Sequence, residues 1–350
     1  MSLFYKLATG ALRVLSPEDA HQAGLLGLRL GLGPKQSHPD DPRLQVSVAG
    51  LDMPNPVGLA AGFDKNAQAP DALLRAGFGF VECGAVTPRP QAGNAKPRVF
   101  RLSEDHAVIN RMGFNNAGLD AFRERLEGRK HRAGIVGVNL GANKDSTDRA
   151  EDYATSLAQL DGLAGFFTIN ISSPNTPGLR NLQSADALDD LLGRVAEART
   201  AQADGKAPIF LKVAPDIEEA EIDRMVTAVR TYKLDGIIVS NTTLARPDSL
   251  QNIHASEAGG LSGRPLFERS TRMLKLFRQA SGPELPLIGV GGIENAETAW
   301  AKIRAGANAI QLYSALVYAG PGLVQDIKSG LVERLQAEGF GSISEAVGTG

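Results

Sequence analysis

Eight short apolar runs recur between residues 56 and 315: Pro56–Gly62, Phe80–Val86, Ile135–Gly141, Phe166–Ser172, Ile209–Pro215, Gly236–Thr242, Leu287–Ile293 and Ala309–Ala315. Each is near-continuously apolar rather than alternating, which is the pattern of a parallel strand covered on both faces. Amphipathic stretches separate them: Ala69–Ala76, Ala117–Leu126, Ala150–Leu163, Ala185–Ala201, Glu218–Thr231, Leu266–Ala280 and Ala296–Ala305, with Gly322–Gln336 after the last. Their apolar residues fall at helical spacing, as in Leu188, Leu191, Leu192, Val195 and Ala196. Eight strand-then-helix units predict an α/β chain folded as a (β/α)8 TIM barrel. A doubly wound open sheet is the runner-up, but it rarely carries eight parallel strands so evenly spaced. The barrel is expected over residues 34–350, with residues 1–33 as a small N-terminal helical appendage.

The bulk numbers narrow the function classes. The chain has 350 residues, 43% hydrophobic and 22% charged, with a net charge of -2, an ordinary globular composition. No strongly basic stretch stands out, so a nucleic-acid partner is not expected. The single cysteine, Cys83, excludes an internal disulfide and a multi-cysteine metal site, and the five histidines form no pair at helical spacing. No metal is expected.

Polar residues gather where the strands end. The first runs into Asp64-Lys65, the second into Thr87, and the third carries Asn139. The fourth ends in Asn170 and the loop NISSPNTPGLR (170–180), and the fifth carries Lys212. The sixth ends in Ser240-Asn241-Thr242-Thr243, the seventh in Gly291-Gly292 and the eighth in Tyr313-Ser314. A buried lysine or asparagine is costly unless paired, so several converging on one barrel mouth argue for a polar ligand. Glycines opening a helix after the seventh strand, with Tyr313-Ser314 after the eighth, suit a phosphate, which sugar phosphates and flavin mononucleotide carry alike. Two long connections, Thr87–Asn116 and Leu244–Arg264, are expected as lids or binding segments on the same face. The loop 170–180 reads either as a plain turn or as a site where one serine does chemistry. Lys212 reads either as a Schiff-base nucleophile, as in aldolases, or as a fixed charge for an anionic cofactor state. Asn110, Asn139, Asn170, Asn175 and Asn241, which both donate and accept, favour the second.

Residues 1–33 predict two short helices split by Ser16-Pro17-Glu18-Asp19. Ser16 caps the second, with Pro17 at its first position. Leu3, Phe4, Leu7, Ala8, Ala11, Leu12 and Leu15 form one apolar face of the first. Lys6, Arg13 and Glu18 interrupt any membrane-spanning run, and the broken apolar core counts against a cleavable signal. Two readings stay open: packing against the barrel, or an anchor on a membrane surface.

The stretches GLAAGFDKN (58–66), VTPRPQAGNAKPRVFRL (86–102), INRMGFNN (109–116), NISSPNTPGLR (170–180), SNTT (240–243), GGLSGRPL (259–266), GVGGI (289–293) and QLYSA (311–315) resemble dihydroorotate dehydrogenase. Serine at 173 and the appendage make the chain similar to the membrane-associated, quinone-dependent class 2. The resemblance covers essentially the whole chain. It implies flavin mononucleotide (FMN), oxidation of dihydroorotate to orotate in pyrimidine synthesis, and ubiquinone or menaquinone as acceptor. It also implies Ser173 as the catalytic base. Lys65, Asn110, Arg111, Met112, Gly113, Phe114, Asn170, Asn175, Asn241 and Thr242 would bind the pyrimidine. Ala61, Gly62, Phe63, Asp64, Lys65, Ala85, Asn139, Asn170, Lys212, Ser240, Gly263, Gly292, Tyr313 and Ser314 would contact the flavin. Lys212 would favour its anionic reduced form. Ala85 departs from the family, some members having threonine there. Residues 1–33 would form the mouth of a quinone tunnel at the membrane, with His21 and Arg101 at the quinone head, on the cytoplasmic face of a bacterial inner membrane. The competing readings are a soluble fumarate- or NAD-linked relative, which typically has cysteine at position 173, a Schiff-base aldolase, and a non-catalytic sugar-phosphate binder.

Overall fold

All eight apolar runs form strands: β1 (Val57–Leu59), β2 (Phe80–Val86), β3 (Ile135–Leu140), β4 (Phe166–Asn170), β5 (Ile209–Val213), β6 (Gly236–Val239), β7 (Leu287–Val290) and β8 (Ala309–Leu312). They pair in parallel in sequence order, and β8 returns to β1 to close the barrel. The computed structural model describes Gly10, Leu12 and residues 14–201 and 207–350. Most strands stop before the polar residues that end each run, because those residues leave the ladder and turn into the βα loops. The helices Pro70–Arg75, Leu119–Glu127, Arg149–Gln159, Ala185–Thr200, Ile222–Thr231, Phe267–Ser281, Ala296–Arg304 and Leu323–Glu338 follow the strands as the periodicity predicts.

The lower barrel is filled by aromatic rings. Phe80 meets Phe166 edge-on at 6.0 Å between centroids, and Phe166 meets Phe210 at 5.7 Å. Glycines make the room: a Cβ at Gly58 would lie 2.3 Å from the Phe80 ring, and one at Gly137 2.1 Å from Phe166. This plug closes one end, so any ligand must enter from the other.

The two long connections do more than form lids. Val99–Leu102 and Ala107–Asn110 form a hairpin inside the first, and Gly260–Gly263 from the second adds to its edge in a three-stranded antiparallel sheet. Phe100, Leu102, Ala107, Ile109 and Leu261 give this sheet its own small core.

The second N-terminal helix forms as expected, as α1 (Pro17–Arg29). Ser16 Oγ accepts from the Asp19 backbone N–H, and Pro17 occupies the first turn. Leu25 packs with Ala69 and Ala72, beside Leu28 and Phe63. Glu18 pairs with Arg98 at 2.7 Å, tying the helix to the loop before the three-stranded sheet. Most of the expected first helix lies outside the described residues. Among the described residues, no helix is long and apolar enough to cross a membrane.

Candidate active site

A cavity of about 800 Å³ opens at the C-terminal ends of the strands and runs on to α1. It lies within the size range of small-molecule and cofactor sites, roughly 300–1,000 Å³.

A chain of amides stands on its floor. Glu82, on β2 and two residues beyond Phe80, is fully buried, and its Oε1 accepts from Asn139 Nδ2 at 2.6 Å. Asn139 Oδ1 accepts from Asn170 Nδ2 at 2.8 Å. Asn170 Oδ1 accepts from Ser172 Oγ at 3.0 Å and from Asn241 Nδ2 at 3.3 Å. Strands β2, β3, β4 and the loop after β6 are thus linked by side chains alone. Tyr153 O–H donates to the Asn170 carbonyl at 2.7 Å, and burial pushes its phenol pKa well above the ordinary tyrosine range.

Two lysines bring positive charge. Lys212 is 5% exposed and lines the cavity, and among the described residues its ammonium has no hydrogen-bond or ion-pair partner. A buried ammonium in that condition calls for an acceptor or anion from the ligand. Lys65 donates to the Gly62 carbonyl at 2.6 Å, and burial holds its pKa below the usual lysine value, at about 8.

Ser173 is buried in the cavity wall, where its Oγ accepts from the Asn175 N–H at 3.3 Å. Asn175 Nδ2 donates to Asn110 Oδ1 at 3.2 Å, joining the serine loop to the long connection after β2. Met112, Gly113 and Phe114 complete that wall. Gly263, Gly292, Tyr313 and Ser314 also line the cavity, together with Gly291. Gly291 (φ +113°) and Gly292 (φ +74°) adopt the left-handed backbone, and a Cβ at Gly292 would lie 2.5 Å from the Phe267 backbone. Such a loop, opening towards Ala296–Arg304, exposes backbone rather than side chain.

Ala61, Gly62, Phe63, Ala85, Ser240 and Thr242 also line the cavity. At the α1 end stand His21 and Arg101. His21 packs edge-on to Phe63 at 5.1 Å, with Tyr313 O–H 3.5 Å from its Nδ1. Burial, reinforced by the Lys65 charge, depresses its pKa to about 3. Arg101 donates to the Leu15 carbonyl.

Asp64 and Arg111 are placed outside the cavity lining. The Asp64 carboxyl turns back on its own loop and accepts from the N–H groups of Asn66, Gln68 and Ala69, shaping the turn that presents Lys65. Arg111 points away to Glu257 at 2.7 Å and lies over the Phe100 ring. Glu82 and Gln311, both fully buried, also belong to this floor and are not among the residues expected from the sequence. The signal was there: a carboxylate in FVECGAV and an amide in AIQL, each alone in an apolar strand.

Residues 43–335 match the family described as "Dihydroorotate dehydrogenase". The "Dihydroorotate dehydrogenase (quinone)" of Brucella melitensis is 54% identical over 346 residues, covering 98% of this chain and 95% of that one, and that of Brucella ovis matches equally. With 98% of the chain aligned, the match takes in most of residues 1–33, which the family match omits. Among solved structures, the Eimeria tenella dihydroorotate dehydrogenase in complex with ferulenol superposes with a TM-score of 0.92 at 39% identity, over 95% of both chains. Its ligand-free form gives 0.91 at 38%, over 95% of this chain and 99% of that one. With its closed barrel, its polar mouth and relatives matching along nearly its full length, this chain belongs to the dihydroorotate dehydrogenase family, in the quinone-dependent class to which those Brucella relatives are assigned.

Proposed function

We propose that this chain oxidises (S)-dihydroorotate to orotate in pyrimidine synthesis, with FMN as its resident cofactor and a membrane quinone as electron acceptor. One observation carries the reading: a single cavity reaches from Ser173 and Lys212 at the barrel mouth to His21 and Leu28 on α1.

The residues present fit FMN. Among the described residues Lys212 offers a partnerless ammonium and Gln311 Oε1 is a buried acceptor without a partner, while Gly263, Gly291 and Gly292 offer a side-chain-free cradle for a phosphate. Ala61, Gly62, Ala85, Asn139, Lys212, Ser240, Gly263, Gly292, Tyr313 and Ser314 would hold the cofactor. When bound, the flavin would supply the hydride acceptor and a two-electron link to the quinone.

Ser173 takes the proton from the substrate carbon adjacent to the one that loses hydride, and the two departures leave the new C=C bond of orotate. An alkyl hydroxyl is a weak base, so its strength comes from position: the Asn175 N–H fixes the serine oxygen, and nearby donors stabilise charge developing on the substrate. Thr176 Oγ1, buried and without a partner among the described residues, is the candidate next stop for the proton. Lys65 holds the substrate carboxylate, and Asn110, Asn170, Asn175, Asn241 and Thr242 hold the amide edges of the ring.

Residues 1–33 form the quinone-access segment. Val14, Leu15, Leu26, Leu30 and Leu32, on and beside α1, are exposed apolar side chains, of which Leu15 and Leu32 also line the cavity, suited to a lipid surface on the cytoplasmic side of the membrane. His21 and Arg101 would meet the quinone head. The purified protein is expected to be yellow, to bleach anaerobically with dihydroorotate, and to regain colour with a long-tailed quinone. A colourless protein that takes up no added FMN refutes the reading.

A further inference from the structure

We propose that Glu82 is a positioning residue: its carboxylate decides which end of each floor amide faces the cavity, and so sets the pattern of donors and acceptors offered to a bound ring. The proposal rests on the flavin reading above.

Glu82 is fully buried, and among the described residues it has no ion pair. Its two oxygens face two amide nitrogens, Asn139 Nδ2 and Gln311 Nε2, each at 2.6 Å. A carboxylate only accepts, so both amides must present their NH₂ groups to it. The consequence propagates. Asn139 Oδ1 is left to receive Asn170 Nδ2, and Asn170 Oδ1 is turned to Ser172 Oγ and Asn241 Nδ2. One acceptor-only group therefore fixes the direction of the whole chain.

What remains unused belongs to side chains that all line the cavity and is available to a ligand there. The second N–H groups of Asn139 and Asn170 and the Lys212 ammonium make a donor side. Gln311 Oε1, buried and partnerless, makes an acceptor side. A flat heterocycle with carbonyl or ring-nitrogen acceptors beside one N–H meets that pattern, as the pyrimidine-like edge of a flavin does. A glutamine at position 82 has one acceptor and one donor end. It keeps only one of its two neighbours as Glu82 holds them: either Gln311 reverses and offers N–H where it offered Oε1, or Asn139 reverses and turns Asn170 with it.

The test compares holoenzyme carrying Glu82→Gln with the exchange Glu82→Gln/Gln311→Glu. In the exchange, the glutamine at 82 donates to the glutamate at 311 and still accepts from Asn139, so the chain keeps its direction while the charge moves. Flavin dissociation and the midpoint potential of bound flavin are read alongside thermal unfolding. Glu82→Gln is expected to weaken flavin binding about 10- to 100-fold, the equivalent of one unpaired buried polar group, and to shift the potential. The exchange is expected to recover most of the affinity. Wild-type affinity and potential in Glu82→Gln overturn the proposal, as does an exchanged protein that does not fold or binds no better than the single variant. A wild-type protein that takes up no flavin refutes the flavin reading instead. The proposal is then decided by whether the exchanged protein melts above Glu82→Gln.

Discussion

Arg98 grips Glu18 with two parallel bonds, Nη2 to Oε1 at 2.7 Å and Nε to Oε2 at 3.2 Å, while its Nη1 donates to the carbonyls of Ala92 and Asn94. The carboxylate pKa is lowered chiefly by this hydrogen bonding. A two-pronged Arg–carboxylate contact fixes direction as well as distance, so α1 is held at a set angle over the cavity end. Glu18→Gln keeps the shape but loses the charge-assisted bonding, which is worth about 1.5–3 kcal/mol. Turnover with a long-tailed quinone should fall several-fold while turnover with a soluble dye is unchanged. Parallel loss with both acceptors would show that α1 does not guide the quinone.

Lys65 provides a pH signature. Its pKa near 8 is depressed because burial disfavours the ammonium. The charge that attracts a carboxylate is present below that value and lost above it. Orotate affinity should therefore fall with a step at or above about pH 8, displaced upward because the bound anion favours the protonated lysine. Lys65→Gln should bind weakly at all pH values, without the step. A pH-independent orotate titration of the unaltered protein would remove Lys65 from the carboxylate site.

His21 gives the opposite edge. Its pKa in the fold is about 3 against an ordinary 6.5, so the unfolded chain takes up its proton first on acidification. The stability contributed by neutral His21 is complete above about 6.5 and is lost progressively as pH falls towards 3. His21→Gln, which cannot titrate, should show a shallower decline of melting temperature over that window. Identical slopes would mean that the imidazole is solvated.

How much of this could be read from the chain depended on how local the cause was. β4 was legible because Phe166–Asn170 is buried at every position and so is mostly apolar, in Phe166, Phe167 and Ile169. The Ser16 cap was legible because cap and capped N–H are three residues apart. The three-stranded sheet was not, since its edge pairs Ala107–Asn110 with Gly260–Gly263, four-residue strands from different loops. Arg111 sits inside a site-like motif, but its direction is set by Glu257, 146 residues away. Asp64 had the composition of a site residue and is used by its own turn. Convergence of the strand tips was predictable from topology, whereas the aim of a single side chain depends on partners that adjacent sequence does not contain.

The aromatic plug makes a stability prediction. A methyl on Gly137 would sit 2.1 Å from the Phe166 ring, which is hemmed in by Phe80 and Phe210. Gly137→Ala should destabilise by about 1–3 kcal/mol or more, as overpacking does. Gly193, in the helix Ala185–Thr200, has only Tyr232 at 3.6 Å from its added Cβ, and Gly193→Ala should stabilise by roughly 0.5–1 kcal/mol. Denaturant unfolding of the pair separates packing from a general intolerance of alanine. A Gly137→Ala protein as stable as its parent would mean that the rings have slack.

Ser173 is the sharpest test of the chemistry. Its side chain is buried, its Oγ is oriented by the Asn175 N–H, and among the described residues no histidine or carboxylate hydrogen-bonds to it. Removing the hydroxyl takes away one accepted bond of 3.3 Å and little packing, so Ser173→Ala should fold and retain flavin. Flavin reduction by dihydroorotate, followed in a stopped-flow instrument without acceptor, should slow by about 10²–10⁴-fold, the range for loss of a positioned base. Reoxidation by quinone should be untouched, because no proton leaves a substrate carbon in that half. Ser173→Cys should recover part of the rate, with its pH dependence displaced towards the thiol's ordinary pKa of about 8.5. If Ser173→Ala reduced its flavin at close to the normal rate near neutrality, another group would have to take the proton. The loop 170–180 would then serve only to shape the cavity wall.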